Sequence, residues 1–156
     1  TDNILANSNF ESGLLGWYKL QVDDSNFKIV SCDDPVGDGN CAVIESTKSG
    51  YHGGWYQSVR LEPEKKYHYS GWVKVEDNDN LEIKLLYAQV VQVGKTIGIG
   101  GKKIQGNSDW TYYETIFTAL PSDDGLTQVY PVLITNPGKV WIDNVILTPY
   151  REKGIE

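Results

Sequence analysis

Short stretches of alternating apolar and polar residues, cut apart by Gly, Pro, Asn and Asp, run from one end of this chain to the other. Few windows keep the apolar period of an amphipathic helix for three turns, whereas two-residue alternation recurs throughout. The interruptions carry turn chemistry: Asp38-Gly39, Glu62-Pro63, Asp77-Asn78-Asp79-Asn80, Gly100-Gly101, Pro121 to Gly125, and Asn136-Pro137-Gly138. Between them lie strand candidates at Trp17–Val22, Phe27–Cys32, Ala42–Ser46, Trp55–Leu61, Tyr67–Val75, Leu81–Gln92, Thr96–Ile99, Thr111–Ala119, Thr127–Thr135 and Val140–Leu147. About ten strands without a repeat or internal linker predict a single all-β domain, a jelly-roll β-sandwich of two antiparallel sheets. Residues 1–150 make the sandwich and residues 151–156 a polar tail leading toward a linker, as in a module cut from a longer polypeptide.

Parity assigns side chains to faces. Leu81, Ile83 and Leu85 alternate with Glu82 and Lys84 and face the core. The same register would bury Gln89, which is costly for an amide, so a twist or bulge near Leu86 is expected to return Gln89 or Gln92 to an exposed face. In Thr127–Thr135, Val129, Pro131 and Leu133 read as interior, with Gln128, Tyr130 and Val132 outward. Val59 and Leu61 read as core, which turns Tyr56 outward in a regular strand. A bulge at Tyr51 to Gly54 would instead bring out Trp55, so both rings stay candidates for a surface site.

The charge of −7 and the lack of any basic run longer than Lys65-Lys66 or Lys102-Lys103 argue against nucleic acid and anionic membrane as partners. No apolar run reaches the length of a spanning helix. Ten Tyr and five Trp against three Phe favour rings with a polar handle, suited to amphipathic ligands. Catalytic signatures are missing: there are two histidines, and no metal-protease, nucleophile-elbow or phosphate-loop spacing. Cys32 and Cys41 flank a turn-rich loop; a disulfide between them fits an exported protein, and two reduced thiols on neighbouring strands is the alternative. Glu11, beside Phe10 at the chain entrance, and Asp143, on the apolar side of Val140–Leu147, are carboxylates in expensive places. Together they could clamp one hard cation, with carbonyls from irregular backbone near Asn9 and Asn40. Otherwise Glu11 caps a turn and Asp143 accepts strand-end amides.

Three segments carry a resemblance: Asn-x-x-Phe-Glu-x-Gly leading to Trp (Asn7 to Trp17), Leu61-Glu62-Pro63 leading to Tyr67-x-Tyr69-Ser70-x-Trp72-Val73-Lys74, and Ile142-Asp143-Asn144-Val145. In order and spacing they are similar to the aromatic β-sandwich carbohydrate-binding modules of families four, sixteen and twenty-two, over nearly the whole chain. That resemblance implies a jelly roll, no catalysis, a glycan-binding cleft, and a structural calcium held at Asn9, Glu11, Asn40 and Asp143. Pyranose rings offer apolar faces and hydroxyl edges, so aromatics and amides are the expected ligand groups: Trp17, Trp55, Tyr56, Tyr87, Tyr130, Gln89, Gln92 and Gln128. The function read from this is a secreted, monomeric module that holds an attached glycoside hydrolase on a neutral β-linked polysaccharide (β-glucan, glucomannan or xylan). The rival readings are a polysaccharide lyase or hydrolase on the same fold, and a calcium-stabilised adhesion domain.

Overall fold

The computed structural model describes residues 3–6, 15–20, 27–31, 39–46, 53–76, 83–104, 108–134 and 138–150. Asn9, Glu11, Cys32 and the tail 151–156 lie outside the described residues. Ten strands are described: β1 (Tyr18–Leu20), β2 (Phe27–Ser31), β3 (Asn40–Ser46), β4 (Gly53–Val59), β5 (Lys66–Glu76), β6 (Ile83–Gln92), β7 (Lys95–Ile104), β8 (Ser108–Thr118), β9 (Thr127–Ile134) and β10 (Gly138–Pro149). They form two five-stranded sheets, β1-β4-β9-β6-β7 and β2-β3-β10-β5-β8, with every described pairing antiparallel. The chain passes from one sheet to the other repeatedly, giving the jelly-roll sandwich that the turn pattern predicts.

Alternation supplies the core. Along β5 the inward residues Tyr67, Tyr69, Val73 and Val75 are buried, while His68, Trp72 and Lys74 stay partly exposed. Trp55, Tyr69, Ile44, Leu85, Leu86, Ile142 and Leu147 are the largest fully buried side chains, drawn from both sheets. At about 25 cal/mol per Å² of apolar area removed from water, this shared interior is the main stabilising term.

The regular pleat breaks at one level of the first sheet. Leu86 is left-handed (φ 56°), and Leu85 and Leu86 are both buried, at 0% and 1% exposure. Everything beyond Leu86 is thereby inverted: Ala88 and Val90 point inward, and Tyr87 and Gln89 outward. The neighbouring strand breaks at the same level. Trp55 pairs Val132 and Gln57 pairs Val129, so Tyr56 alone spans Tyr130 and Pro131. Val132 is consequently in the core at 0% exposure, not outward as simple parity from Val129 predicts. A second bulge lies in β10, where Asn144 (φ 51°) follows Asp143 and the register against β5 shifts before Ile146. Asparagine is one of the few side chains that accepts this conformation cheaply.

The N-terminal segment straps the two sheets together. The Asn3 side chain donates to the Val145 carbonyl (2.9 Å) and accepts from the Leu147 amide (2.8 Å), which ties it to β10. Three residues on, the Gln57 amide of β4 donates to the Ala6 carbonyl (2.6 Å) and accepts from its N–H (3.1 Å). Gln57 is 6% exposed, and this pairing satisfies an amide that burial would otherwise penalise. Cys41, in β3, is disulfide-bonded; the chain has one other cysteine, Cys32.

Candidate functional site

The breaks at Leu86 and Tyr130-Pro131 align four tyrosines on the outer face of the first sheet. Tyr18 pairs Tyr56 and Tyr87 pairs Tyr130, so β1, β4, β9 and β6 each contribute one ring to a row that runs across the strands. Ring centroids are 5.8 Å apart for Tyr18–Tyr56, 5.0 Å for Tyr56–Tyr130 and 6.1 Å for Tyr130–Tyr87. The interplanar angles are 32°, 34° and 48°. Three interstrand steps of about 4.8 Å make the row roughly 14 Å long. Exposure grades along it: Tyr18 is 63% exposed, Tyr56 and Tyr87 are half-buried, and Tyr130 is covered at 3%.

Tyr130 is thus the floor and its neighbours the walls. Burial, with Tyr56 and Tyr87 beside it, pushes the Tyr130 phenol up to about 12. Burial also raises Tyr87. Both hydroxyls therefore stay protonated through the neutral range and can donate as well as accept. From beneath, the core hydroxyl of Tyr69 donates to the Tyr87 carbonyl (3.5 Å), linking the row's backbone to the opposite sheet.

An amide row flanks the rings. Ser58, Gln128, Gln89 and Gly98 stand opposite one another across β4, β9, β6 and β7. Gln89 donates to the Gln128 carbonyl oxygen at 2.6 Å. The pair leaves one amide N–H₂ and one carbonyl with capacity for a further partner. At β7, Gly98 makes room for Tyr87: a Cβ there would lie 2.7 Å from the Tyr87 hydroxyl.

Among the described residues, this face offers aromatic planes with an amide edge and no nucleophile–base pair. Of the expected ligand groups, Tyr56, Tyr87, Tyr130, Gln89 and Gln128 come together here. Trp17 and Trp55 do not. They are 6% and 0% exposed and belong to the core cluster, because β4 turns Trp55 inward against Val132 and Trp17 packs ahead of β1. Gln92 also stands apart, donating to the Pro121 carbonyl (2.6 Å) and bracing the loop beyond β8. Tyr18, the most exposed of the rings, completes the row in their place.

The opposite sheet also shows rings outward, Trp72 against Tyr112 (5.6 Å) and Trp141. Trp141 is already engaged by the ammonium groups of Lys74 and Lys139, 5.0 Å and 4.8 Å from its centroid. Those rings do not form a continuous row with amides, so the tyrosine face is the better-built platform.

A family model described as "Carbohydrate binding domain" matches residues 2–135. The chain belongs to that family. Membership places it among binding domains rather than enzymes. No curated protein sequence matches it. Among solved structures it is similar to a family 16 carbohydrate-binding module (19% identity, TM-score 0.68, 94% of this chain and 99% of that one). It is also similar to a family 61 module solved with β-1,4-galactotriose (18% identity, TM-score 0.67, 96% and 100%). A third is the family 22 xylan-binding domain of a Paenibacillus barcinonensis protein (12% identity, TM-score 0.67, 93% and 93%). At these identities the likeness concerns the fold.

As a carbohydrate-binding domain, the protein should be sensitive to Gly98. In Gly98→Ala the new methyl meets the far end of a flexible side chain, so Tyr87 swings aside while the strand holds. Stability should change by no more than about 0.5 kcal/mol in denaturant melts. Glycan affinity by calorimetry should fall roughly tenfold, about 1.4 kcal/mol. Unchanged affinity would show that Tyr87 does not need this resting place.

The cation candidates are only partly described. Asp143 is 1% exposed and its Oδ1 accepts the Asn144 N–H (2.8 Å), as expected of a carboxylate at a strand irregularity. Asn40 opens β3, two residues before the Ala42–Ile142 pair, and so lies at the same end of β10 as Asp143. Among the described residues no three His, Cys, Asp or Glu side chains cluster as a metal site.

Proposed function

We propose that this domain binds a neutral β-linked polysaccharide, of glucan, glucomannan or xylan type, along the tyrosine row. The observation that carries the reading is the row itself. Four rings in register across four adjacent strands match a chain of sugars laid over the sheet, and the Gln89–Gln128 pair lies where ring hydroxyls would pass. Xylan and a β-1,4-galactan fragment, named for two of the similar structures, extend the candidate list to other neutral β-linked chains. In this reading the domain serves an attached polysaccharide-degrading enzyme outside the cell, raising its effective concentration on the polymer. The disulfide at Cys41 supports an oxidising destination.

The test is affinity electrophoresis and calorimetry against soluble glucan, glucomannan, xylan and galactan, with reducing-sugar release measured in parallel. Binding without release is the expected result. Release of new reducing ends, or preference for pectate or alginate over every neutral chain, would overturn it.

We further propose a structural calcium at Asp143, with Asn40, Asn9 and Glu11 as the remaining protein donors. The support is a buried carboxylate at a backbone bulge, which supplies the hard oxygen that calcium takes, beside the irregular start of β3. The ion would supply charge compensation and no chemistry. Binding to the folded state alone should add about 2.7 kcal/mol at a hundredfold excess over Kd. Chelator should therefore lower Tm and Asp143→Asn should abolish that response; a Tm indifferent to both chelator and calcium would remove the ion.

A further inference from the structure

We propose that the β6 end of the tyrosine row is an anion subsite, in which Lys84 receives a carboxylate carried as a substituent on the bound glycan. The inference rests on the tyrosine row being the glycan site. In a regular strand Lys84 and Tyr87, three residues apart, would point to opposite faces. The left-handed Leu86 between them brings both to the outer face, and the Lys84 ammonium stands 5.1 Å from the Tyr87 ring centroid. Tyr87 is the last ring of the row on the β7 side, so the cation sits where a bound chain would leave the platform.

One further feature makes that end anionophilic. Lys84 has no carboxylate partner among the described residues, although the chain carries 21 acidic residues against 14 basic ones. Ammonium groups act as compact point charges, which suits a single carboxylate.

The ligand is a side group and not a main-chain uronate because the positive charge is confined to one end. Elsewhere the row offers phenols and amides within a protein of net charge −7, a poor field for an acid on every sugar.

The test uses two pairs of polymers that differ in charge: glucuronoxylan against its carboxyl-reduced form, and carboxymethylcellulose against hydroxyethylcellulose. At an ionic strength of about 0.02 M, the acidic member of the pair whose backbone fits should bind about tenfold tighter than its neutral counterpart. That ratio should fall to about one in Lys84→Gln, and also for the unaltered protein in about 0.5 M salt. Equal affinity within both pairs, or an acidic preference that survives Lys84→Gln, would overturn the anion subsite while leaving glycan binding on the tyrosine row intact. Failure of all four polymers and of the neutral panel to bind would overturn the glycan reading, and the subsite with it.

Discussion

Tyr56→Ala should abolish measurable glycan binding while the fold survives. Tyr56 is the hinge of the row, touching Tyr18 at 5.8 Å and Tyr130 at 5.0 Å. It is the one residue of β4 that spans two on β9, so no neighbour can slide into its place. Its removal takes away one stacking plane and uncovers the side of Tyr130. An aromatic at the centre of a binding surface is a hot-spot position, worth about 2 kcal/mol or more, so affinity should drop by at least about thirtyfold. Because the ring is half-buried on an outer face, the stability loss should stay near 1 kcal/mol. Tyr56→Phe keeps the plane and should retain most of the affinity. If Tyr56→Ala binds every neutral glycan as the unaltered protein does, the ligand lies elsewhere.

Trp55→Ala should do the opposite. Its neighbour in sequence is a surface ring, but Trp55 itself is fully buried among the side chains shared by the two sheets. Truncation removes the largest buried side chain of β4 and leaves a cavity that close-packed neighbours only partly fill, at a cost of about 3–5 kcal/mol. For a domain of this length that lowers Tm by about 10 °C or more. Trp55→Phe, which keeps most of the volume, should cost less and keep the protein folded for titration. Its glycan affinity, measured well below Tm, should be close to that of the unaltered protein. A large affinity loss in a well-folded Trp55→Phe would return Trp55 to the site.

These two adjacent residues mark how far the sequence could be read. The sandwich was legible because alternation and turn residues are local signals: each of the ten expected strands overlaps an observed one, and all but β7 start and end within three residues of it. β7 was underestimated as Thr96–Ile99, since Gly98, Gly100 and Gly101 look like a break; they lie in a strand that runs from Lys95 to Ile104. The faces were harder. Val59 and Leu61 turned Tyr56 outward only for a regular strand, large rings on either face look alike, and Trp17 and Trp55 stayed ligand candidates until their burial was visible. The cost of burying Gln89 pointed correctly to an irregularity near Leu86. Nothing in Leu85-Leu86-Tyr87 says that the irregularity is a left-handed residue, or that Tyr130-Pro131 answers it on β9. Lys84 was missed for that reason: in an unbroken strand it belongs to the other face from Tyr87.

The row also has a history within each folding event. Its rings come from residues 18, 56, 87 and 130, and strands adjacent in space are far apart in the chain. A contiguous fragment must span residues 18–56, 56–130 or 87–130 to hold two neighbouring rings, and residues 18–130 to hold the whole row. Non-local pairings of this kind close late and slowly. On the proposed reading, sugar recognition thus needs the whole stretch from residue 18 to residue 130, and a refolding population recovers it only when its slowest pairing is made.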